Sequence, residues 1–130
     1  MSEDILDDRR YTKDHEWAQV VDGEIRIGIT AYAVQQLGDI TLVNIDVAAG
    51  EEVEAGKGFG TVESVKTLAD LFAPIAGTVA RVNEALEEQP ELVNDDCYGA
   101  AWMIAIEGDE AALADLMVAS DYEKLLSEQD

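Results

Sequence analysis

Short runs of β-branched and other apolar residues, separated by turn residues, constrain the fold of this chain most strongly. Two runs, residues 17–21 and 25–29, flank Asp22 and Gly23. An Asp-Gly pair between such runs predicts a β-hairpin. Further runs of this kind lie at residues 40–47, 78–82 and 102–106, with a short strand and turn expected within 50–56. The chain is therefore predicted to be mostly β.

A β-rich segment, residues 59–72, holds Lys66 near its middle. It fits one long strand or two strands, because after Gly60 it contains no Gly, Pro or Asn to mark a reversal. A lysine in such a segment is either a solvated strand residue or a handle for covalent modification. The segment alone leaves both interpretations open.

Capping residues predict short helices around the strands. Thr30 can cap a helix over residues 31–37, which Gly38 ends. Asp109 can cap another over residues 110–117. The remaining predictions are a helical turn within residues 83–88, a loop over residues 90–98, and a last helix that begins with the capping-box pair Ser120 and Glu123 and runs through Leu126.

Length and composition limit the number of domains and the classes of partner that are expected. The chain has 130 residues and a formal net charge of −21, from 29 acidic and 8 basic side chains. Nucleic acids and anionic membranes bind basic surfaces, so neither is expected as a partner. The acidity is typical of a highly soluble protein, or of a high-salt cytoplasm in which screening reduces self-repulsion. At this length we predict one domain over residues 1–130, with a core at about 11–107 and C-terminal helices at 109–127.

Residues suited to catalysis or metal binding are few. Cys97 is the only cysteine and His15 the only histidine, so there is no intrachain disulfide and no paired-cysteine metal motif. The glycine-rich stretch Gly56–Gly60 precedes a strand, which fails the structural condition for dinucleotide binding. We predict neither an enzyme nor a metal site. The acidic N-terminus has no apolar signal core, which favours a cytoplasmic protein.

Motifs spread over nearly the whole chain resemble, in order and spacing, the family of glycine cleavage system H proteins. They are Tyr11–Trp17, Ile27–Thr30, Gln36–Asp39, Gly56–Gly60, Val62–Lys66, Ala73-Pro74 with Gly77, Val82–Leu86, Pro90–Asn94, and Tyr98-Gly99 with Trp102. The resemblance implies a lipoyl-domain-like β sandwich (a barrel-sandwich hybrid) with short peripheral and C-terminal helices. It also identifies Lys66 as the lipoyl attachment lysine, at an exposed hairpin tip.

The same resemblance implies a carrier of covalent lipoate that is not itself a catalyst. In the family, an aminomethyl group from glycine passes from glycine decarboxylase (P protein) to the aminomethyltransferase (T protein). Dihydrolipoamide dehydrogenase (L protein) then reoxidises the dithiol. These three proteins and the lipoylation enzymes are the implied partners. A monomer is expected, since no large exposed apolar face is evident.

Four further residues gain candidate roles from the resemblance. Glu16 matches a position in the cleft that shields the loaded arm, where it would pair with the aminomethyl ammonium. His15 would line that cleft or serve structurally, and Asp70 would lie in it near the tip. Glu63 is a candidate for recognition by lipoylation enzymes. In a chain this acidic, each carboxylate can equally be a solvated side chain.

Some residues depart from the family pattern. Cys97 stands where proline is usual, and Ala100 and Ala101 stand where an acidic residue and glycine are common. Residues 67–69 are more apolar than expected on an exposed turn. These departures put local loop geometry and arm docking in question.

Three alternative functions stay open. The first is a lipoyl or biotinyl carrier of another multienzyme system. Biotinyl domains usually have a methionine on each side of the modified lysine, whereas Lys66 has Val65 and Thr67 in these positions. The second is a relay that hands its lipoyl group to other acceptors. The third is an unmodified acidic β protein that binds a partner.

Overall fold

The computed structural model describes residues 5–129, and the two ends of the predicted 1–130 domain lie outside the described residues. Nine strands form two antiparallel sheets in this part of the chain. The strands are β1 (Arg10–Tyr11), β2 (Glu16–Val21), β3 (Glu24–Ile29), β4 (Ile40–Ile45), β5 (Glu52–Val53), β6 (Gly58–Ser64), β7 (Leu68–Phe72), β8 (Gly77–Val82) and β9 (Ile104–Glu107). The larger sheet has the order β1-β2-β3-β9-β8-β5, and the smaller has the order β4-β6-β7. The mostly β prediction is confirmed.

Short helices lie between and after the strands. They are α1 (Ala31–Leu37), α2 (Ala85–Glu88), α3 (Leu92–Asp95), a 3-10 helix (Glu110–Asp115) and α4 (Ala119–Gln129). The Thr30 hydroxyl accepts a hydrogen bond from the Ala33 amide at 3.2 Å, which confirms the predicted cap of α1. Gly38 ends α1 with φ of 83°, a conformation that suits glycine.

Two groups of buried side chains hold the elements together. The main core joins both sheets through aliphatic residues and one phenylalanine, among them Ile25, Ile27, Val43, Phe59, Val62, Val79, Ile104 and Ile106. Each such side chain contributes about 1.5–3 kcal/mol when fully buried. A second, aromatic cluster consists of Tyr11, Trp17, Tyr122 and Leu126, and it attaches α4 to the first strands.

The predicted hairpin at Asp22 and Gly23 is confirmed by the antiparallel pairing of β2 with β3. Both turn residues have positive φ, 53° and 84°, as a tight hairpin turn requires. The segment at residues 59–72 forms two strands, β6 and β7, so the two-strand interpretation is correct.

Several boundary predictions were wrong. The predicted loop over residues 90–98 contains α3, and the predicted helix over 110–117 is a shorter 3-10 helix, although the Asp109 side chain does cap it by accepting from the Ala111 amide at 2.9 Å. The capping box at Ser120 and Glu123 does not exist, because α4 already begins at Ala119. Tyr122 and Leu126 of α4 are buried together with Tyr11 and Trp17, and this tertiary packing outweighs the local capping signal.

Candidate functional site

The β6–β7 hairpin presents Lys66 at its tip, with the side chain exposed. Ser64 makes the reversal: its hydroxyl oxygen accepts from the amides of Lys66 and Thr67, both at 3.1 Å. The Ser64 amide also donates to the Thr67 carbonyl at 2.8 Å. A serine hydroxyl that bonds the next amides is a recognised turn device, weaker as a sequence signal than Gly or Pro. Ser64 is therefore the turn residue that the sequence pattern did not reveal.

The end of α1 supports this tip. The Val65 amide donates to the Asp39 carbonyl at 3.1 Å. A Cβ placed on Gly38 would lie 3.6 Å from Cε of Lys66, so the lysine stem runs beside this glycine. A side chain at position 38 would thus be in ordinary van der Waals contact with the stem, and Lys66 as a whole remains exposed.

Asn94 of α3 fixes the segment that holds the tip. Its Nδ2 donates to the Gly38 carbonyl at 3.0 Å, and its Oδ1 accepts from the Ile40 amide at 2.9 Å. Since Asp39 lies between these two residues and accepts from Val65, one side-chain amide orients the backbone that anchors the tip. In the sequence, Asn94 stands out only as part of a motif, because its hydrogen-bond partners are more than fifty residues away in the chain.

A cleft of about 180 Å³ lies next to the tip. Most of its lining is apolar: Ile29, Ala33, Leu37, Val62, Ala69 and Leu71. Its polar lining is Asp14, His15, Glu16, Gln36 and Asp70. The structure therefore brings together three of the predicted residues, His15, Glu16 and Asp70, and adds Gln36 of α1, which the sequence alone did not single out.

Glu16 is the buried carboxyl group of the site. Its side chain is 2% exposed, Oε2 accepts from the Phe72 amide at 2.9 Å, and Oε1 accepts from the Thr12 hydroxyl at 3.1 Å. Burial raises the pKa of Glu16 to about 8, and the two hydrogen bonds oppose this rise only in part. A cation close to Glu16 would favour the ionised form and lower this pKa.

His15 connects the cleft with the aromatic cluster. Its Nδ1 lies 2.8 Å from the Tyr122 hydroxyl, and that hydroxyl lies 2.7 Å from Oγ1 of Thr30. The His15 ring also packs against Tyr32, with ring centroids 4.7 Å apart. Burial lowers the pKa of His15, which favours the neutral imidazole. His15 thus lines the cleft and holds structure at the same time.

The two predicted carboxylates of the hairpin, Asp70 and Glu63, differ in their relation to the cleft. Asp70 is exposed and pairs in register with Thr61. Glu63 is half-buried, does not line the cleft, and lies between Leu42 and Leu68 in the smaller sheet.

Among residues 5–129, no group of three or more His, Cys, Asp and Glu side chains is arranged to hold a metal ion. None of the helices in this range is long and apolar enough to span a membrane.

Comparison with known proteins agrees with the geometry. The family model described as glycine cleavage H-protein matches residues 9–129. The glycine cleavage system H protein of Bacillus velezensis is 48% identical over 122 residues, which cover 93% of this chain and 95% of that protein. The H protein of Geobacillus kaustophilus is 49% identical over 120 residues, which cover 92% of this chain and 94% of the relative.

A solved structure shows the same fold. The crystal structure of a glycine cleavage system H protein from Mycobacterium marinum superposes with a TM-score of 0.86 at 40% identity. The match covers 95% of this chain and 99% of the other. The predicted lipoyl-domain-like β sandwich is confirmed.

Proposed function

The chain belongs to the glycine cleavage H-protein family, and we propose that Lys66 is the residue to which its lipoyl group is attached. A protein of this family is a lipoyl carrier of the glycine cleavage system and not a catalyst. What is proposed for this chain is the attachment residue, the cleft that receives the loaded arm, and the route between the partner enzymes.

The observation that carries the proposal is the placement of Lys66. Its side chain is exposed at the tip of a hairpin, with the stem beside Gly38 and the adjacent amide of Val65 fixed to Asp39. An attachment lysine must bring Nζ to another enzyme without distortion of the carrier, and a tip held by backbone hydrogen bonds meets this need. Acylation also removes the lysine charge and lengthens a flexible stem, which suits a group that visits several sites.

The lining of the cleft beside the tip suits the hydrocarbon chain of a lipoyl group. Its aliphatic lining from Leu37, Val62 and Leu71 offers apolar contact to the hydrocarbon chain, and its size of about 180 Å³ exceeds that of a few water molecules. Bound lipoate supplies a disulfide that accepts the aminomethyl group together with electrons. Cys97 is not needed for this thiol chemistry, since it lies outside the cleft lining.

The acidic residues of the cleft suit an arm that ends in a cation. A positive charge that enters beside Glu16 would favour loss of its proton, so a buried ion pair would form only when the loaded arm is present. The neutral imidazole of His15 adds no repelling charge at this place. Asp70 supplies a second carboxylate at the exposed side of the cleft.

We further propose the route of the arm. The chain receives the aminomethyl group at glycine decarboxylase, shelters it in the cleft, delivers it at the aminomethyltransferase, and returns to the disulfide form at dihydrolipoamide dehydrogenase. The net charge of −21 would accelerate encounters with basic surfaces on these partners and make them sensitive to salt.

A reconstitution with matched lysine variants tests the proposal. The lipoylated chain, the three partner enzymes, glycine, tetrahydrofolate and NAD should release carbon dioxide continuously. Lys66→Arg should abolish both lipoylation and this release, whereas Lys57→Arg, a change at an exposed lysine before β6, should leave both unchanged. Turnover supported by Lys66→Arg would refute Lys66 as the attachment residue.

A further inference from the structure

Helix α1 forms one wall of the cleft and runs from the hairpin tip to His15. At its C-terminal end, a Cβ on Gly38 would lie 3.6 Å from Cε of Lys66. At its N-terminal end, the Thr30 amide donates to the His15 carbonyl at 3.0 Å, and Tyr32 packs against the His15 ring. Since an α-helix rises about 1.5 Å per residue, these two ends lie about 12 Å apart along its axis. An arm attached to Lys66 and laid in the cleft would follow this wall.

Three residues of α1 line the cleft: Ala33, Gln36 and Leu37. Positions three and four apart lie on one face of a helix, so these side chains belong to the same wall. Ala33 and Leu37 are apolar, whereas Gln36 brings a carboxamide, with both donor and acceptor groups, close to the end that adjoins Lys66. Gln36 is exposed, and its side chain makes no hydrogen bond within residues 5–129. This carboxamide is therefore available to a ligand.

The other polar side chains of the cleft suit a neutral ligand group less well. Both carboxyl oxygens of Glu16 and Nδ1 of His15 have partners elsewhere in the chain. Asp14 and Asp70 are carboxylates, which accept hydrogen bonds but donate none when ionised. Gln36 is the lining residue near Lys66 that can donate and accept at the same place.

A lipoyl arm has one polar group between the lysine stem and the sulfur ring, the amide that forms at Nζ. In an apolar cleft, an amide with unbonded N–H and C=O groups is destabilised, because these groups lose their hydrogen bonds to water. The amide follows Cε of Lys66 directly, so it comes to the end of α1 where Gln36 lies. A carboxamide can bond both groups of the amide at once, as two amides do with each other.

We propose that Gln36 binds the amide of the docked arm and thereby fixes how far the arm reaches along the cleft. This inference rests on the proposed function. With its amide held at the end of α1, the arm would pass the apolar lining with its hydrocarbon chain and bring its far end to Glu16. Gln36 is thus a positioning residue, which stabilises the docked arm and takes no part in the chemistry at sulfur.

Matched glutamine variants of the lipoylated full-length chain test the inference. Each is loaded from glycine by purified glycine decarboxylase and then separated from this enzyme. Loss of the aminomethyl group to water gives formaldehyde, ammonium and the free thiol, so formaldehyde release measures how often the arm leaves the cleft. Gln36→Leu should release formaldehyde roughly tenfold faster than the unchanged chain, since it leaves the amide unbonded in the cleft. Gln35→Leu, a change at an exposed neighbour outside the lining, should not alter the rate.

NMR spectra give a second readout, which a merely structural role of Gln36 would not change. Lipoate that is isotope-labelled at its carboxyl carbon reports the arm amide, and nitrogen labels report the Gln36 carboxamide. Both signals should shift together when the arm is loaded. In Gln36→Leu, the carbonyl signal of the arm should shift less. Thermal melts establish that each variant retains the fold.

The outcomes separate the inference from the proposed function. Equal formaldehyde release from Gln36→Leu and the unchanged chain, or a Gln36 carboxamide signal that does not shift on loading, would overturn the role of Gln36 while the cleft still protects the arm. Equal acceleration by Gln35→Leu would also overturn it, and would assign the effect to α1 as a whole. A chain without lipoate on Lys66, or a loaded arm that loses its group as fast as a free aminomethyl thiol, would overturn the proposed function and with it this inference.

Discussion

The hairpin tip and the aromatic cluster differ both in exposure and in the interactions that hold them. At the tip, Ser64, Asp39 and Asn94 hold the backbone by hydrogen bonds while Lys66 and its apolar neighbours remain exposed. In the cluster under α4, aromatic side chains are buried: Tyr122 is 0% exposed and stacks on Tyr11 with ring centroids 4.6 Å apart. One region keeps chemistry accessible, and the other supplies stability.

The difference teaches that carrier function and fold stability should be separable by mutation. His15 and Glu16 combine both roles, since both line the cleft next to the tip and both make partly buried hydrogen bonds to distant parts of the chain. Variants in the cluster should therefore alter unfolding, and variants at the tip should alter acylation. Variants at these two residues should alter both unfolding and the shelter of the loaded arm.

Removal of the Tyr122 ring should give the largest effect. Tyr122→Ala should lower the free energy of unfolding by about 3–5 kcal/mol, because it deletes a fully buried aromatic ring. Tyr122→Phe keeps the ring but removes the hydroxyl that bonds Thr30 and His15. This variant should lower the free energy of unfolding by about 1–3 kcal/mol. Urea denaturation measures both. Slower acylation of Lys66 in folded Tyr122→Phe would contradict the separation of the two regions.

Glu16 should couple stability to pH. Because its pKa is raised from 4.5 to about 8 in the folded chain, the folded state binds more protons than the unfolded state between these values. Stability relative to Glu16→Gln should therefore fall as pH rises through this window, by at most ~1.4 kcal/mol for each pH unit. Denaturation of both proteins from pH 5 to pH 8 measures the difference. Asp70→Asn, an exposed change in the same cleft, is the control, and parallel profiles for the chain and Glu16→Gln would refute the coupling.

Two asparagines allow a sharper test of the tip. Asn94→Ala removes the hydrogen bonds to Gly38 and Ile40, whereas Asn83→Ala removes a similar pair to the carbonyls of Ala100 and Trp102. Each variant should lower the free energy of unfolding by about 1 kcal/mol. Only Asn94→Ala should accelerate hydrogen exchange at the Val65 amide. Equal acceleration by both variants, or none by either, would show that Asn94 does not hold the tip.

Salt should give the smallest effect and act on both regions alike. With a net charge of −21, added KCl should screen repulsion and raise the melting temperature of the chain by a few degrees. Differential scanning calorimetry from low to molar KCl measures this shift. A melting temperature that does not rise with KCl would count against adaptation to a high-salt cytoplasm.

Local signals predicted the parts of the fold that neighbouring residues determine. The Asp22-Gly23 turn and the Thr30 cap act within a few residues, so their patterns were sufficient. The reversal at Ser64 was not visible, because a serine hydroxyl can make the same bonds in many settings. The first residue of α4 was wrongly placed because the packing of Tyr122 decides it.

In the candidate site, too, features that depend on contacts between distant residues were not predicted. Resemblance to the family predicted Lys66 as the attachment residue and Glu16 and Asp70 as residues of the cleft. The burial of Glu16 could not be predicted, since its hydrogen-bond partner Phe72 lies 56 residues away. The role of Asn94 at the tip depends on contacts 54 and 56 residues distant. Such contacts exist only once both sheets have formed.

The most direct test of the central claim is the intact mass of the chain purified from its own organism, followed by mapping of the modified peptide. The account predicts a single lipoyl amide on Lys66 and none on the other lysines. An unmodified Lys66 in cells that are actively degrading glycine would contradict it.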